Sequence, residues 1–150
     1  MTINKSIGQL LENDYDKIEK IYRHSLREPG YWSNLNVEDN DLLIEEAENT
    51  TVFEAVTRMQ PELSDIIFEH GRDAGLELLQ LKGNEICADF GCMWGAIAIP
   101  LAKRVAMVIG VDQTLHSLRL LNARTRDENI DNICLVHDDV KCFPILEIGR

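Results

Sequence analysis

The stretch that decides the fold is "CADFGCMWGAI", residues 87–97, where a short apolar run takes in Asp89 and passes into two glycines, Gly91 and Gly95, four apart. A glycine straight after a strand lets the chain turn at positive φ, and a second lets the following helix pack close to the strand. The helix start then aims unpaired N–H groups at whatever lies over the strand ends. "EICADF" (85–90) is therefore expected as a strand, and "GCMWGAIAIPLAKR" (91–104) as a turn entering a helix that Pro100 weakens or kinks. Met93 stands between the glycines, where a left-handed backbone costs a side-chain-bearing residue about 1–2 kcal/mol.

Two further strands follow. "VAMVIGVD" (105–112) is a continuous apolar run of the kind buried on both faces. Thr114 offers an N-cap to the helix "LHSLRLLNAR" (115–124), and "ICLVH" (133–137) leads into Asp138 and Asp139. The order strand, helix, strand, helix, strand with right-handed crossovers gives an α/β, Rossmann-like parallel sheet ordered 3-2-1. Asp89, Asp112 and Asp139 then all fall at the carboxyl edge of the sheet, where open α/β folds bind ligands. A carboxylate ending the second strand can accept both hydroxyls of a ribose, and one after the third can accept from an adenine amino group. Three acids along one edge disfavour an anionic ligand and suit a zwitterionic or cationic one.

In order and spacing, "CADFGCMWGAIAIPLA", "VIGVDQTLHSLRLLNAR" and "ICLVHDDVKCFP" resemble the first three motifs of class I S-adenosylmethionine-dependent methyltransferases, over roughly residues 85–145. The family pattern Asp-x-Gly-x-Gly-x-Gly is here Asp89-x-Gly91-x-Met93-x-Gly95. The resemblance implies that the loop from Asp89 through Gly91, Cys92, Met93 and Gly95 lies along the methionyl part of S-adenosyl-L-methionine. It gives Asp112, with Gln113 beside it, to the ribose, and Asp139 to the adenine, with Asp138 in a small-residue slot and His137 and Val140 flanking. It implies methyl transfer to a small-molecule or protein nucleophile, achieved by positioning.

The family resembles a seven-stranded sheet, of which three strands are expected here, so this chain reads as a truncated, cofactor-binding half. Its first strand would present an open edge through which copies could associate as a homo-oligomer. Two other readings stay open. A nicotinamide (NAD(P))-dependent short-chain oxidoreductase uses a similar turn and similar acids, although no Tyr-x-x-x-Lys pair occurs here. A degenerate, non-catalytic nucleotide-binding scaffold would also fit Met93.

Residues 1–82 read as a helical lead-in and 83–150 as the partial cofactor-binding domain. In "IGQLLENDYDKIEKIYRHSL" (7–26), Ile7, Leu10, Leu11, Tyr15, Ile18, Tyr22 and Leu26 form one apolar helical stripe, broken at Pro29-Gly30. Pro61 suits the first turn of another helix, and Lys82-Gly83-Asn84 a turn. Tyr31, Trp32 and Trp94 read as packing residues.

Charge narrows the partners. The net charge is −11, with 16 acids against 7 bases in residues 1–75 and 10 against 8 in residues 76–150. No basic face is on offer, so no nucleic-acid partner is expected. No apolar run of about 18 residues occurs, and the start lacks the basic-then-apolar order of a secretory signal, so no membrane partner and a cytoplasmic location are expected. Cys87, Cys92, Cys134 and Cys142 show no Cys-x-x-Cys pair and read as reduced thiols, without metal or disulfide. His24, His70, His116 and His137 are scattered, with no spacing that argues for catalysis.

Overall fold

The computed structural model describes residues 15–24, 37–69 and 73–139. Tyr31, Trp32, His70, Val140 and Cys142 lie outside the described residues. The elements run β1 (Tyr15–Ile18), β2 (Ile21–His24), α1 (Val37–Asn49), α2 (Val52–Met59), α3 (Pro61–Phe68), a 3-10 turn (Asp73–Leu79), β3 (Ile86–Phe90), α4 (Ala98–Ala102), β4 (Met107–Asp112), α5 (Leu115–Asp127) and β5 (Ile133–His137).

The three strands read from the sequence lie side by side and parallel in the expected order, β5-β4-β3, and β3 closes one end of the sheet. A hairpin extends the other end. β1 and β2 pair antiparallel, and β2 runs parallel to β5. This corrects the helical reading of residues 7–26 over its described part. The three- and four-residue spacing of Tyr15, Ile18 and Tyr22 mimics a helix, but Ile21 and Tyr22 pack on opposite faces of the sheet. Glu19 takes a left-handed φ of 56° at the turn, and pairing with β5 outweighs the local helical preference.

Helices cover one face. Ile21, Val108 and Leu135 pack beneath Ile99 and Leu101 of α4 and Leu118 and Leu121 of α5. Tyr15, Ile109, Val111 and Val136 cluster on the opposite face. Alternate residues of α5 serve two cores, because Leu120 and Ala123 turn away from the sheet into a second cluster with Leu43, Val52, Ala55, Val56 and Ile67 of α1–α3. Each fully buried leucine, isoleucine or valine here contributes about 1.5–3 kcal/mol. Helices α1–α3 thus dock on the sheet through α5.

Local chemistry fixes the helix ends. Thr51 accepts from the Glu54 amide at 3.2 Å as the N-cap of α2, while Asp127 at the end of α5 accepts from the Val52 amide at 2.8 Å. Pro61 occupies the first turn of α3, as expected. α4 is only five residues long and contains Pro100. Thr114 stands at the N-cap of α5 without a side-chain capping bond; Asp112 instead accepts from its amide at 2.8 Å.

Candidate functional site

Register brings the strand ends together. Asp112 sits opposite His137, and Asp89 opposite Gly110, so the acids of β3 and β4 and the segment after β5 share one edge of the sheet. The turn after β3 is built from three left-handed residues, Gly91 (φ 76°), Met93 (φ 46°) and Gly95 (φ 84°). The amides of Gly91 and Cys92 both donate to the Val111 carbonyl, at 2.8 and 3.2 Å, which fastens the turn to β4.

Asp112 organises the turn. Its Oδ2 accepts from the Met93 amide at 2.9 Å and its Oδ1 from the Thr114 amide at 2.8 Å, so one carboxylate spans the turn after β3 and the start of α5. Met93 is therefore held in its left-handed conformation by a charge-assisted bond. Its side chain and that of Trp94 pack into the α1–α3 cluster. The residue in the central glycine position thus anchors the turn to the helical layer instead of projecting over the strand ends.

The two outer glycines play different parts. A Cβ on Gly95 would lie 2.4 Å from Leu121 Cδ1 and 2.9 Å from Ile99 Cγ1, so this glycine is required for close helix–strand packing. A Cβ on Gly91 would meet nothing within 4 Å, which leaves open space above the strand end. Cys92 is only 3% exposed, seated against Gly110. Burial, with Asp112 and Asp89 nearby, pushes its thiol well up, so Cys92 offers this site backbone and bulk, not a nucleophile.

Asp89 faces the same edge with Oδ2 buried and without a hydrogen-bond partner among the described residues. Burial raises its carboxyl above the usual range; a bond to the Ala98 amide opposes this, and the Asp112 charge adds to it. Asp89 is thus an incompletely satisfied acceptor on the strand that leads into the turn.

Beyond β5 the sequence candidates separate. Asp138 is 2% exposed and accepts from the Tyr15 hydroxyl through Oδ2 and from the Asp139 amide through Oδ1 at 2.7 Å. It ties the hairpin to the sheet edge. Asp139 is half-buried beside it, and Gln113 is exposed, its carbonyl paired with His137 Nε2 at 2.9 Å. Tyr15 was not legible as a site neighbour, since it lies 123 residues from Asp138 in a segment that reads as helix.

His137 is buried, and desolvation lowers its pKa below the ordinary value; Arg23 acts in the same direction, while the Gln113 bond and the charges of Asp112 and Asp138 oppose it. With Nε2–H donating to Gln113, Nδ1 is the unprotonated nitrogen, and it has no partner among the described residues. A depressed folded-state pKa stabilises the fold above the unfolded value, near 6.5, and that stability is lost as pH falls through the folded value. Thermal midpoints are expected to drop more steeply between pH 7 and 5 for the wild type than for His137→Asn. Parallel curves would remove His137 from the acid transition.

Among the described residues, no group of three histidines, cysteines or acids is placed to hold a metal ion. No described helix is long and apolar enough to cross a membrane. Cys87, Cys92 and Cys134 are free thiols, and burial pushes Cys134 up to about 11 despite Lys17 nearby.

No family model matches the chain. It is 32% identical over 65 residues to the 23S rRNA (uracil(1939)-C(5))-methyltransferase RlmD of Shewanella sediminis, covering 43% of this chain and 15% of that protein. Among solved structures, an rRNA methylase from Escherichia coli aligns with a TM-score of 0.49 and 15% identity over 77% of this chain and 46% of its own. A putative S-adenosyl-L-methionine-dependent methyltransferase from Methanococcus maripaludis gives 0.47 and 21% over 77% and 48%. The chain spans less than half the length of each. Over those 65 residues the chain is thus similar in sequence to a methyltransferase, and its described strands form an open sheet with β5, β4 and β3 parallel.

Proposed function

We propose that this chain binds S-adenosyl-L-methionine at the carboxyl edge of β3, β4 and β5 and serves an enzyme that methylates a small-molecule or protein nucleophile. The observation that carries the reading is the Asp89 carboxyl, with an unpartnered buried oxygen, two residues before Gly91, over which space is open, and the Asp112 carboxylate at the neighbouring strand end. Two carboxylates in that arrangement fit a ligand bearing an ammonium group and a ribose, and repel a pyrophosphate. That weighs against the nicotinamide reading.

When bound, the cofactor supplies a methyl group activated on a sulfonium. Everything else falls to the chain. The Asp89 carboxylate accepts from the ligand's ammonium, and the Gly91–Gly95 backbone shapes the cradle, with Cys92 and Met93 holding it from behind. Asp112 uses the lone pairs left free by the Met93 and Thr114 amides to accept from the ribose hydroxyls, with Gln113 alongside. Asp139 accepts from the adenine amine, with Val140 flanking and Asp138 fixing the segment. Rate enhancement then comes from orientation, with little covalent help from protein groups.

Calorimetry with S-adenosylhomocysteine and with NAD tests the reading. Binding of the first alone supports it, binding of NAD alone supports the oxidoreductase, and binding of neither supports a scaffold. Asp89→Asn sharpens the test. Its raised pKa means that the charged form weakens the fold, so stability is fuller below the unfolded pKa and falls as pH rises through the folded one. The Asn variant is therefore expected to melt higher than wild type at pH 7 while binding S-adenosylhomocysteine about tenfold more weakly or worse. A variant that gains no stability and keeps full affinity would remove Asp89 from the site.

The match to an rRNA methyltransferase favours a second reading, an RNA acceptor, against which the net charge of −11 stands. Gel retardation of an rRNA fragment at 50 and 200 mM salt decides between them. Self-association through the outer edge of β3 belongs to the same proposal, and light scattering across a concentration series measures it.

A further inference from the structure

The cofactor turn has a second anchor on the side away from the strand ends. Arg124 of α5 is only 6% exposed, yet its guanidinium reaches three elements. Nε donates to Glu128 at 2.7 Å, Nη1 donates to the Trp94 carbonyl at 3.1 Å and, more weakly, to the Ile67 carbonyl at 3.4 Å. Its Cζ lies over the Phe68 ring, 4.6 Å from the centroid. Trp94 sits between left-handed Met93 and left-handed Gly95, so the carbonyl that Arg124 holds belongs to the most constrained part of the turn. Ile67 and Phe68 form the end of α3, in the helical layer.

We infer that Arg124 is a positioning residue for cofactor binding: through the Trp94 carbonyl it locks the Gly91–Gly95 turn to the end of α3, and this link sets the affinity of the site. The inference rests on the reading that this turn holds the cofactor. A buried cation needs paired charge and satisfied donors to be tolerated. Glu128 supplies the charge; burial pushes its carboxyl up, but the bonds from Lys103 and Arg124 hold it below the usual range. The carbonyls of the turn and of α3 supply the remaining acceptors. A planar fork can serve carbonyls on two elements at once, which a lysine ammonium on a flexible stem does poorly.

The side chain of Trp94, 4% exposed among the helices, closes the second link between turn and layer. The turn is therefore held on one side by Asp112 through the Met93 amide and on the other by Arg124 through the Trp94 carbonyl. Loss of either frees a backbone whose left-handed conformation is costly.

The test compares Arg124→Lys with Asp127→Ala in the full chain. Asp127→Ala weakens a neighbouring junction, that of α5 with α2, through the Val52 amide, without touching the turn. Both are expected to lower the melting temperature, but only Arg124→Lys should weaken S-adenosylhomocysteine binding, by about tenfold or more. Hydrogen exchange of the ligand-free protein gives an independent readout, with faster exchange at residues 91–97 in Arg124→Lys and unchanged exchange there in Asp127→Ala. If the wild type binds no S-adenosylhomocysteine, the cofactor reading fails, and the exchange comparison still decides whether Arg124 fixes the turn. Equal affinity losses in the two variants, or unaltered exchange at 91–97 in Arg124→Lys, would overturn the inference.

Discussion

Replacing Gly95 by valine is expected to cost about 2–5 kcal/mol, a large part of the roughly 5–15 kcal/mol that holds a domain of this size together. Two penalties add. The backbone at this position has φ 84°, which costs a side-chain-bearing residue about 1–2 kcal/mol, more for a β-branched one. The new Cβ would also stand 2.4 Å from Leu121 Cδ1 and 2.9 Å from Ile99 Cγ1, so these side chains of α5 and α4 would have to shift, an overpacking cost of about 1–3 kcal/mol. Gly91→Ala isolates the first penalty, because its φ of 76° is equally left-handed but its Cβ meets nothing within 4 Å. Urea unfolding should therefore rank Gly95→Val well below Gly91→Ala. Adding Leu121→Ala to Gly95→Ala should recover part of the loss, a coupling that contacting residues show and distant ones do not. Equal losses at the two glycines would mean that α5 does not press on the turn.

The same pair of glycines shows what the sequence made legible. Glycines four apart after an apolar run marked strand and turn, and the alternation of strands with helices implied the parallel order β5-β4-β3, because those signals are local. What was not legible depends on contacts between distant segments. The hairpin at residues 15–24 was hidden because a spacing of three and four residues suits both a helical stripe and two short strands; only pairing with β5 decides, and β5 lies more than 100 residues away. Asp138 shares its local pattern with Asp139, and its burial against Tyr15 could not be foreseen while the hairpin was unread. The role of Met93 depends on α1–α3, which carry no motif, so the sequence placed the residue in the turn but not the direction of its side chain.

Met93 also shows how a departure from a glycine pattern can be tolerated. The left-handed strain is offset by a bond from its amide to Asp112 and by packing of the thioether against the helices. Turn, helical layer and strand-end acid thus depend on one another, and the residue most shared among them is Asp112.

Asp112→Ala is accordingly expected to act on stability and on binding together. The substitution removes the acceptor for both the Met93 and the Thr114 amides, and bonds to a charged acceptor contribute about 1.5–3 kcal/mol each. Part of that returns through water at this half-buried site, so a stability loss of about 2–4 kcal/mol is expected by urea unfolding. The turn then loses the bond that holds Met93 at φ 46°, and the proposed ribose acceptor disappears with it. Affinity for S-adenosylhomocysteine should fall at least 100-fold, beyond calorimetric detection for a ligand that starts near micromolar. Asp139→Ala provides the contrast. Asp139 is half-buried, lies outside the turn and is proposed to meet the adenine, so its loss should weaken binding while both bonds from the Met93 and Thr114 amides to Asp112 remain. Asp112→Asn separates the two roles of Asp112. One side-chain oxygen remains to accept from one amide, while the NH₂ that replaces the other opposes an N–H donor. An intermediate stability with binding still abolished is the expected result. Retention of wild-type affinity in either Asp112 variant would place the ribose elsewhere and leave Asp112 as a clamp for the turn alone.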